Sequence, residues 1–125
     1  MTLEQKRAAM AYGHVQEIAE GERTRYGTMA QKLPALIRSA GLCQALYFVK
    51  SRKKPVLDVL LGHLSQQLRR VDPKILNVES LCARTRAAEL ATYVWLTREA
   101  LAAVSWYGRL ARSEWDVRPG DEPKD

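Results

Sequence analysis

Between Arg23 and Leu57 the chain carries eight lysines and arginines and no aspartate or glutamate. The eight are Arg23, Arg25, Lys32, Arg38, Lys50, Arg52, Lys53 and Lys54, and Arg69 and Arg70 follow at the end of a later apolar run. Basic side chains in such number, without carboxylate neighbours, suit a polyanion: each can neutralise a phosphate, and arginine also presents a planar fork of donors. Cations gather at helix C-termini too, where the macrodipole favours each by about 0.3 to 1 kcal/mol. Capping accounts for Arg69 and Arg70 as readily as ligand binding does. It does not account for four basic residues among the five positions from Lys50 to Lys54.

Groups that could break or make bonds are sparse. His14 and His63 are distant in sequence, and neither has a metal-ligand neighbour at helical spacing, so both read as boundary histidines hydrogen-bonded locally. Cys43 and Cys82 stand in apolar helical surroundings with no CxxC partner and read as buried thiols, neither a disulfide nor a metal site. Carboxylates are scattered singly, and Gly41 and Gly108 are lone glycines with no phosphate-cradling loop around them. The expectation is a protein without catalytic residues, cofactor or metal.

The elements that would position the basic residues are helical. At 125 residues and 46 % apolar the chain is long enough for one domain with a real core. Thr2 and Gln5 have capping-box spacing, and Ala8, Ala11, Tyr12, Val15, Ile18 and Ala19 then recur at intervals of three and four, predicting a helix over about 3–21. A second begins near Arg25, meets a kink or a fresh start at Pro34 and stops at Gly41. A short apolar helix runs from Leu42 to about Lys50. Pro55 opens another whose leucine stripe reaches Val71, and Asp72-Pro73 is a turn. After an uncertain segment at 75–78, Ser80 is placed to cap a helix of about 30 to 35 residues that meets no proline until Pro119. No alternation of period two defends a strand. The fold expected is all-α, a single-domain bundle of about five to six helices over 1–115 with a long C-terminal helix. An acidic tail over 116–125 is expected to be disordered.

Charge and aromatics refine the functional reading. The net charge is +6, but the last thirteen residues hold five of the fourteen acids and two of the twenty bases, so the body carries +9. A basic body points to nucleic acid before an acidic protein or an anionic membrane. No apolar run approaches the length of a bilayer span and the N-terminus lacks a signal-peptide core, so a cytoplasmic protein with no membrane partner is expected. Between Leu90 and Leu110 apolar residues surround the helix axis, which marks either a central helix or a second face kept for a partner, with Trp95, Trp106 and Tyr107 as candidate interface residues. Aromatics confined to apolar helix faces, and no helix with a recognition pattern, imply backbone contacts with little base readout.

The segment QKLPALIRSAGLCQALYFVKSR, preceded by Arg25-Tyr26-Gly27, resembles the central signature of the small α-helical subunit of the type III-B CRISPR effector, the Cmr complex. TREALAAVSWYGRLA, from Thr97 to Ala111, is similar to that family's closing motif, and LEQKRAAMAYGHV, with Gln5, Arg7 and Ala11, to its opening. The resemblance spans about residues 3 to 112. It implies a non-catalytic helical bundle that stacks in several copies along the effector, with guide RNA, target RNA, other effector subunits and copies of itself as partners, and with target cleavage belonging to other subunits. Two rival readings of the basic face are a stand-alone module binding duplex nucleic acid and a scaffold docking an acidic protein.

Overall fold

The computed structural model describes residues 1–123; Lys124 and Asp125, the last two residues of the expected tail, lie outside the described residues. Six α-helices follow in chain order: α1 Leu3–Val15, α2 Arg23–Ala40, α3 Leu42–Ser51, α4 Pro55–Arg69, α5 Val78–Ala87 and α6 Leu90–Trp115, with a single 3₁₀ turn at Glu20–Glu22. Among the described residues there is no strand, and no helix is long and apolar enough to cross a membrane.

Local signals set most of the boundaries. Thr2 and Gln5 form the capping box that starts α1, each side chain meeting the other's backbone amide at 3.1 and 2.7 Å. Gly41 adopts φ 91, a conformation in the glycine region, and donates to the Ile37 carbonyl, ending α2 one residue before α3 begins. The orphan amide of Cys43 in the first turn of α3 donates to the Tyr93 hydroxyl of α6 at 3.0 Å, so a distant helix completes this cap. Pro55 occupies the first turn of α4, where its missing N–H costs nothing.

Two helices depart from expectation. The first stops at Val15 rather than near residue 21. The long helix expected from Ser80 is two: α5 is capped by Asn77, and Ala88 and Glu89 are extended, at ψ 140 and 160, before α6 begins. No glycine or proline marks this break. Leu81, Cys82 and Thr85 of α5 are buried on the side of α3 and α4, whereas Leu96, Ala100 and Val104 of α6 are buried towards α1, α2 and α4. A continuous helix would carry one of these stripes off the core, so packing overrides local propensity.

Pro34 does not restart α2, which is continuous across it. The Ala30 carbonyl, which Pro34 deprives of its amide partner, lies against Gly108 of α6, and the contact holds the helix across the proline. This is one of two points where a glycine lets α2 and α6 approach closely. At the other, a Cβ on Gly27 would lie 2.9 Å from the Ala111 Cβ and 3.0 Å from Val117 Cγ1. Val117 belongs to the segment expected to be disordered, yet it is 5 % exposed. Beyond α6 the chain turns at Asp116, at φ 55, and returns over α2, so the packed part of the molecule extends past residue 115.

The two kinds of glycine predict opposite responses to the same substitution. Gly27→Ala is expected to destabilise by about 1 to 3 kcal/mol through overpacking against Ala111 and Val117. Gly13→Ala, whose Cβ would meet nothing within 4 Å in the interior of α1, is expected to stabilise by about 0.4 to 1 kcal/mol. Urea denaturation of the two variants beside the parent chain checks both signs.

Candidate nucleic-acid interface

The basic residues divide among several surfaces. Arg25, Thr28 and Lys32 lie at intervals of three and four on one face of α2 and reach a cleft of about 430 Å³. Arg52, at the C-terminus of α3, lines the same cleft with Met29, Gln31 and Leu57, while Pro119, Gly120, Asp121 and Pro123 close its other side. The return of the chain through α3 thus brings part of the second basic group onto the surface of the first. Lys53 and Lys54 continue from Arg52 through the exposed turn into α4, Lys53 at φ 54. Among the described residues no carboxylate lies within 4.0 Å of Lys32, Arg52, Lys53 or Lys54.

The remaining candidates face elsewhere. Lys50 turns towards α5, pairing with Glu79 at 3.0 Å and lying over the Tyr47 ring; that carboxylate holds its pKa above the ordinary lysine value. The Arg23 guanidinium stacks over Trp115 at 5.4 Å with its Nε buried and unpartnered. Arg38 is exposed but rotated about 120° from Lys32 around the α2 axis. Arg69 and Arg70 are exposed at the far end of α4, about 20 Å along the helix from Pro55. The ten residues do not form one continuous patch.

Of the three aromatic interface candidates, Trp95 is 40 % exposed beside Leu90 and Val94, which are 77 % and 42 % exposed. Trp106 is half-buried, its indole N–H donating to Glu4 at 2.8 Å and its ring lying under Arg109. Tyr107 is fully buried and cannot meet a partner. It belongs instead to a polar core that no local pattern in the chain announces.

That core joins four helices. The rings of His14 and His63 stack at 4.0 Å and 5°. The Tyr107 hydroxyl donates to His14 Nδ1 at 2.7 Å and accepts from Gln67 at 3.1 Å; His14 Nε2 donates to Gln66 at 2.7 Å. Tyr26 donates to His63 Nδ1 at 2.8 Å, which leaves the other His63 nitrogen facing Glu17 at 3.9 Å. With both tyrosines donating, each neutral imidazole carries its proton on Nε2 and every ring nitrogen but one has a close partner. Burial raises the pKa of both phenols and, with the neighbouring His14, lowers that of His63 to about 4. The two histidines are therefore core residues bonded over long range, not locally bonded boundary residues. Cys82 is buried and Cys43 half-buried; both are free. No group of three metal-ligating side chains occurs among the described residues.

Residues 3–114 match the family of CRISPR-associated proteins described as Cas_Cmr5. The CRISPR system Cmr subunit Cmr5 of Thermus thermophilus is 46 % identical over 107 residues, which cover 85 % of this chain and 90 % of that relative. The crystal structure of a CRISPR-associated Cmr5 family protein from Thermus thermophilus aligns with a TM-score of 0.77 at 41 % identity, over 90 % of this chain and 96 % of the other.

The buried His63 imidazole makes stability depend on pH. Because the folded His63 resists protonation until about pH 4 and the unfolded one protonates near 6.5, its contribution is complete above pH 6.5. It declines as pH falls towards 4, by up to about 3 kcal/mol. His63→Gln keeps an acceptor for Tyr26 and removes the titration. Urea midpoints between pH 7.5 and 4.5 are expected to fall more steeply for the parent chain than for this variant.

Proposed function

The chain belongs to the Cmr5 family of CRISPR-associated proteins, and we propose that it is the small, non-catalytic subunit of a type III-B RNA-guided effector in cytoplasmic antiviral defence. In this reading it stacks with copies of itself beside the other subunits. A basic edge made by one face of α2 and the α3–α4 turn follows the ribose-phosphate backbone of guide RNA and target RNA. The observation that carries the RNA-binding part is the convergence of Lys32 and Arg52 on one cleft, with Lys53 and Lys54 beside it, all without a described carboxylate within 4.0 Å. Family membership makes other effector subunits the natural neighbours. The exposed apolar residues Leu90, Val94 and Trp95 near the start of α6 are a surface such a neighbour would cover.

The non-catalytic assignment is supported by the state of the chain's two histidines. Both are enclosed, stacked and hydrogen-bonded to groups of the fold, and neither lines the basic cleft. Backbone tracking by lysine and arginine needs no reacting group. It confers strong dependence on salt and little dependence on base sequence.

Reversing charge at Lys32, Arg52, Lys53 and Lys54 together tests the reading. Four neutralised phosphates on a single strand give a log-log salt slope of about −3. The parent chain is expected to show a slope of that order, and the reversed chain to bind single-stranded RNA at least tenfold more weakly, a threshold of about 1.4 kcal/mol, with unchanged helicity. A nuclease-split pull-down supplies the cellular readout. Recovery of a multi-subunit complex with repeat-derived RNA supports the assignment; unchanged affinity in the reversed chain refutes the proposed edge. Capture of duplex DNA or of one acidic protein without RNA refutes the effector reading.

A further inference from the structure

We infer that the acidic C-terminal segment of this chain is an internal competitor for its own anion site: it lies across the cleft between α2 and the α3–α4 turn and has to move before a ribose-phosphate strand can enter. The inference rests on the RNA-binding reading above and adds to it a regulation carried by residues beyond the family match, which ends at residue 114.

The segment has an anchor and an arm. The anchor is Val117, buried over Gly27, with its N–H donating to the Ala111 carbonyl at 3.1 Å. Its carbonyl accepts from Gln31 Nε2 at 2.8 Å, and the same amide reaches the Gly108 carbonyl at 3.3 Å. The arm follows at once. Arg118 and Asp121 close a tight turn, Arg118 N–H donating to Asp121 Oδ2 at 2.8 Å and Asp121 N–H to the Arg118 carbonyl at 3.0 Å, with Gly120 at φ 85 between them. This turn sets Asp121 into the wall of the cleft whose other walls hold Arg25, Lys32 and Arg52.

Charge and burial give the arm its role. It places Asp121 in the lining of the basic cleft, with the exposed Glu122 next in the chain, and a carboxylate offers a basic cleft the same acceptor oxygens and charge sign as a phosphate. Residues 118–122 are all exposed. The buried anchor at Val117 precedes them, and beyond it Pro119, Gly120, Asp121 and Pro123 border the cleft without being buried, so the arm can swing away at small cost while the anchor stays packed. Competition of this kind is electrostatic. It is strongest at low salt and fades once the Debye length falls well below the width of the cleft.

The test is binding of a fluorescein-labelled single-stranded 20-mer RNA to the full chain and to the full-length double variant Asp121→Asn, Glu122→Gln. Asparagine preserves the acceptor for Arg118 N–H, so the turn survives. At 50 mM salt the variant is expected to bind about three- to tenfold more tightly, with the ratio shrinking towards one at 300 mM. Adding Lys32→Glu and Arg52→Glu is expected to abolish the gain. Hydrogen exchange should show the Asp121 amide losing protection on RNA binding while the Val117 amide keeps it. Equal affinity of parent and variant, or a gain that survives loss of Lys32 and Arg52, overturns the competitor role and leaves the RNA-binding reading standing. Binding of RNA by neither chain overturns that reading and this inference with it.

Discussion

The seam between α2 and α6 is the contact on which the rest of the structure depends. Two helices come this close only where one of them presents a glycine. Here Gly27 meets Ala111 and Gly108 meets Ala30 and Gln31. The close approach lies beside Pro34, across which α2 is continuous, and brings the Gln31 amide within reach of two α6-side carbonyls. It also leaves a pocket over Gly27 that Val117 fills. The face of α2 turned away from the seam, with Arg25, Thr28 and Lys32, is thereby fixed in orientation, so a contact made by residues without charge decides where the charged ones point.

The second organising feature is polar and lies beside that seam, where the rings of Tyr26 and Tyr107 meet at 6.4 Å. A core of His14, His63, Tyr26, Tyr107 and Gln67 takes one or more members from α1, α2, α4 and α6, and Gln67 also donates to the Arg7 carbonyl of α1 at 3.0 Å. Leucines there would pack in many near-equivalent ways. Paired hydrogen-bonding groups accept few arrangements, because each unmatched donor or acceptor in a dry interior costs about 1 to 3 kcal/mol. The apolar stripes supply most of the stabilisation, and the polar group selects the register in which the helices meet.

The sequence showed the helices and hid their arrangement, for reasons that differ by element. The caps at Thr2, Gly41 and Pro55 act over three or four residues, and each lies where local chemistry puts it. The break at Ala88 and Glu89 has no local cause, since alanine and glutamate favour helix; only the opposed burial of Leu81 and Leu96 requires it. Val117 stood in a polar, proline-rich stretch whose composition concealed one buried anchor. Tyr107 sat on an apolar face like its neighbours, and only the identity of what packs on it, two histidines from elsewhere in the chain, separates it from an interface residue. In the basic region composition located the charge correctly but could not divide it. That Arg52 joins Lys32, while Lys50 turns to Glu79 and Arg69 lies a helix length away, depends on side-chain direction at a helix end and not on spacing.

The ion pairs show how folding and surface charge are kept apart. Arg7 of α1 holds Glu4 and, through both oxygens at 3.1 Å, Glu99 of α6; Arg84 of α5 meets the buried Asp72 at 2.8 Å; Lys50 of α3 meets Glu79 of α5. Apart from the Arg7–Glu4 pair within α1, each joins a helix to a residue at least 12 positions away. Lys32, Arg52, Lys53 and Lys54 meet no described carboxylate, and three of them are consecutive, so they repel one another on an exposed turn. An exposed pair there would add at most about 1 kcal/mol, so leaving these cations without a carboxylate costs little stability while it preserves a field that reaches about 10 Å at 0.1 M salt. A fold that needed their charge would have paired it; a fold that merely tolerates it leaves the edge free to vary with what it meets. The carboxylate that lines the cleft at this edge, Asp121, comes on the C-terminal arm, attached through one buried valine rather than through a helix. Opposition from a detachable segment, and not from a fixed ion pair, is the arrangement in which a positive edge can be masked in one state and available in another without disturbing the core beneath it.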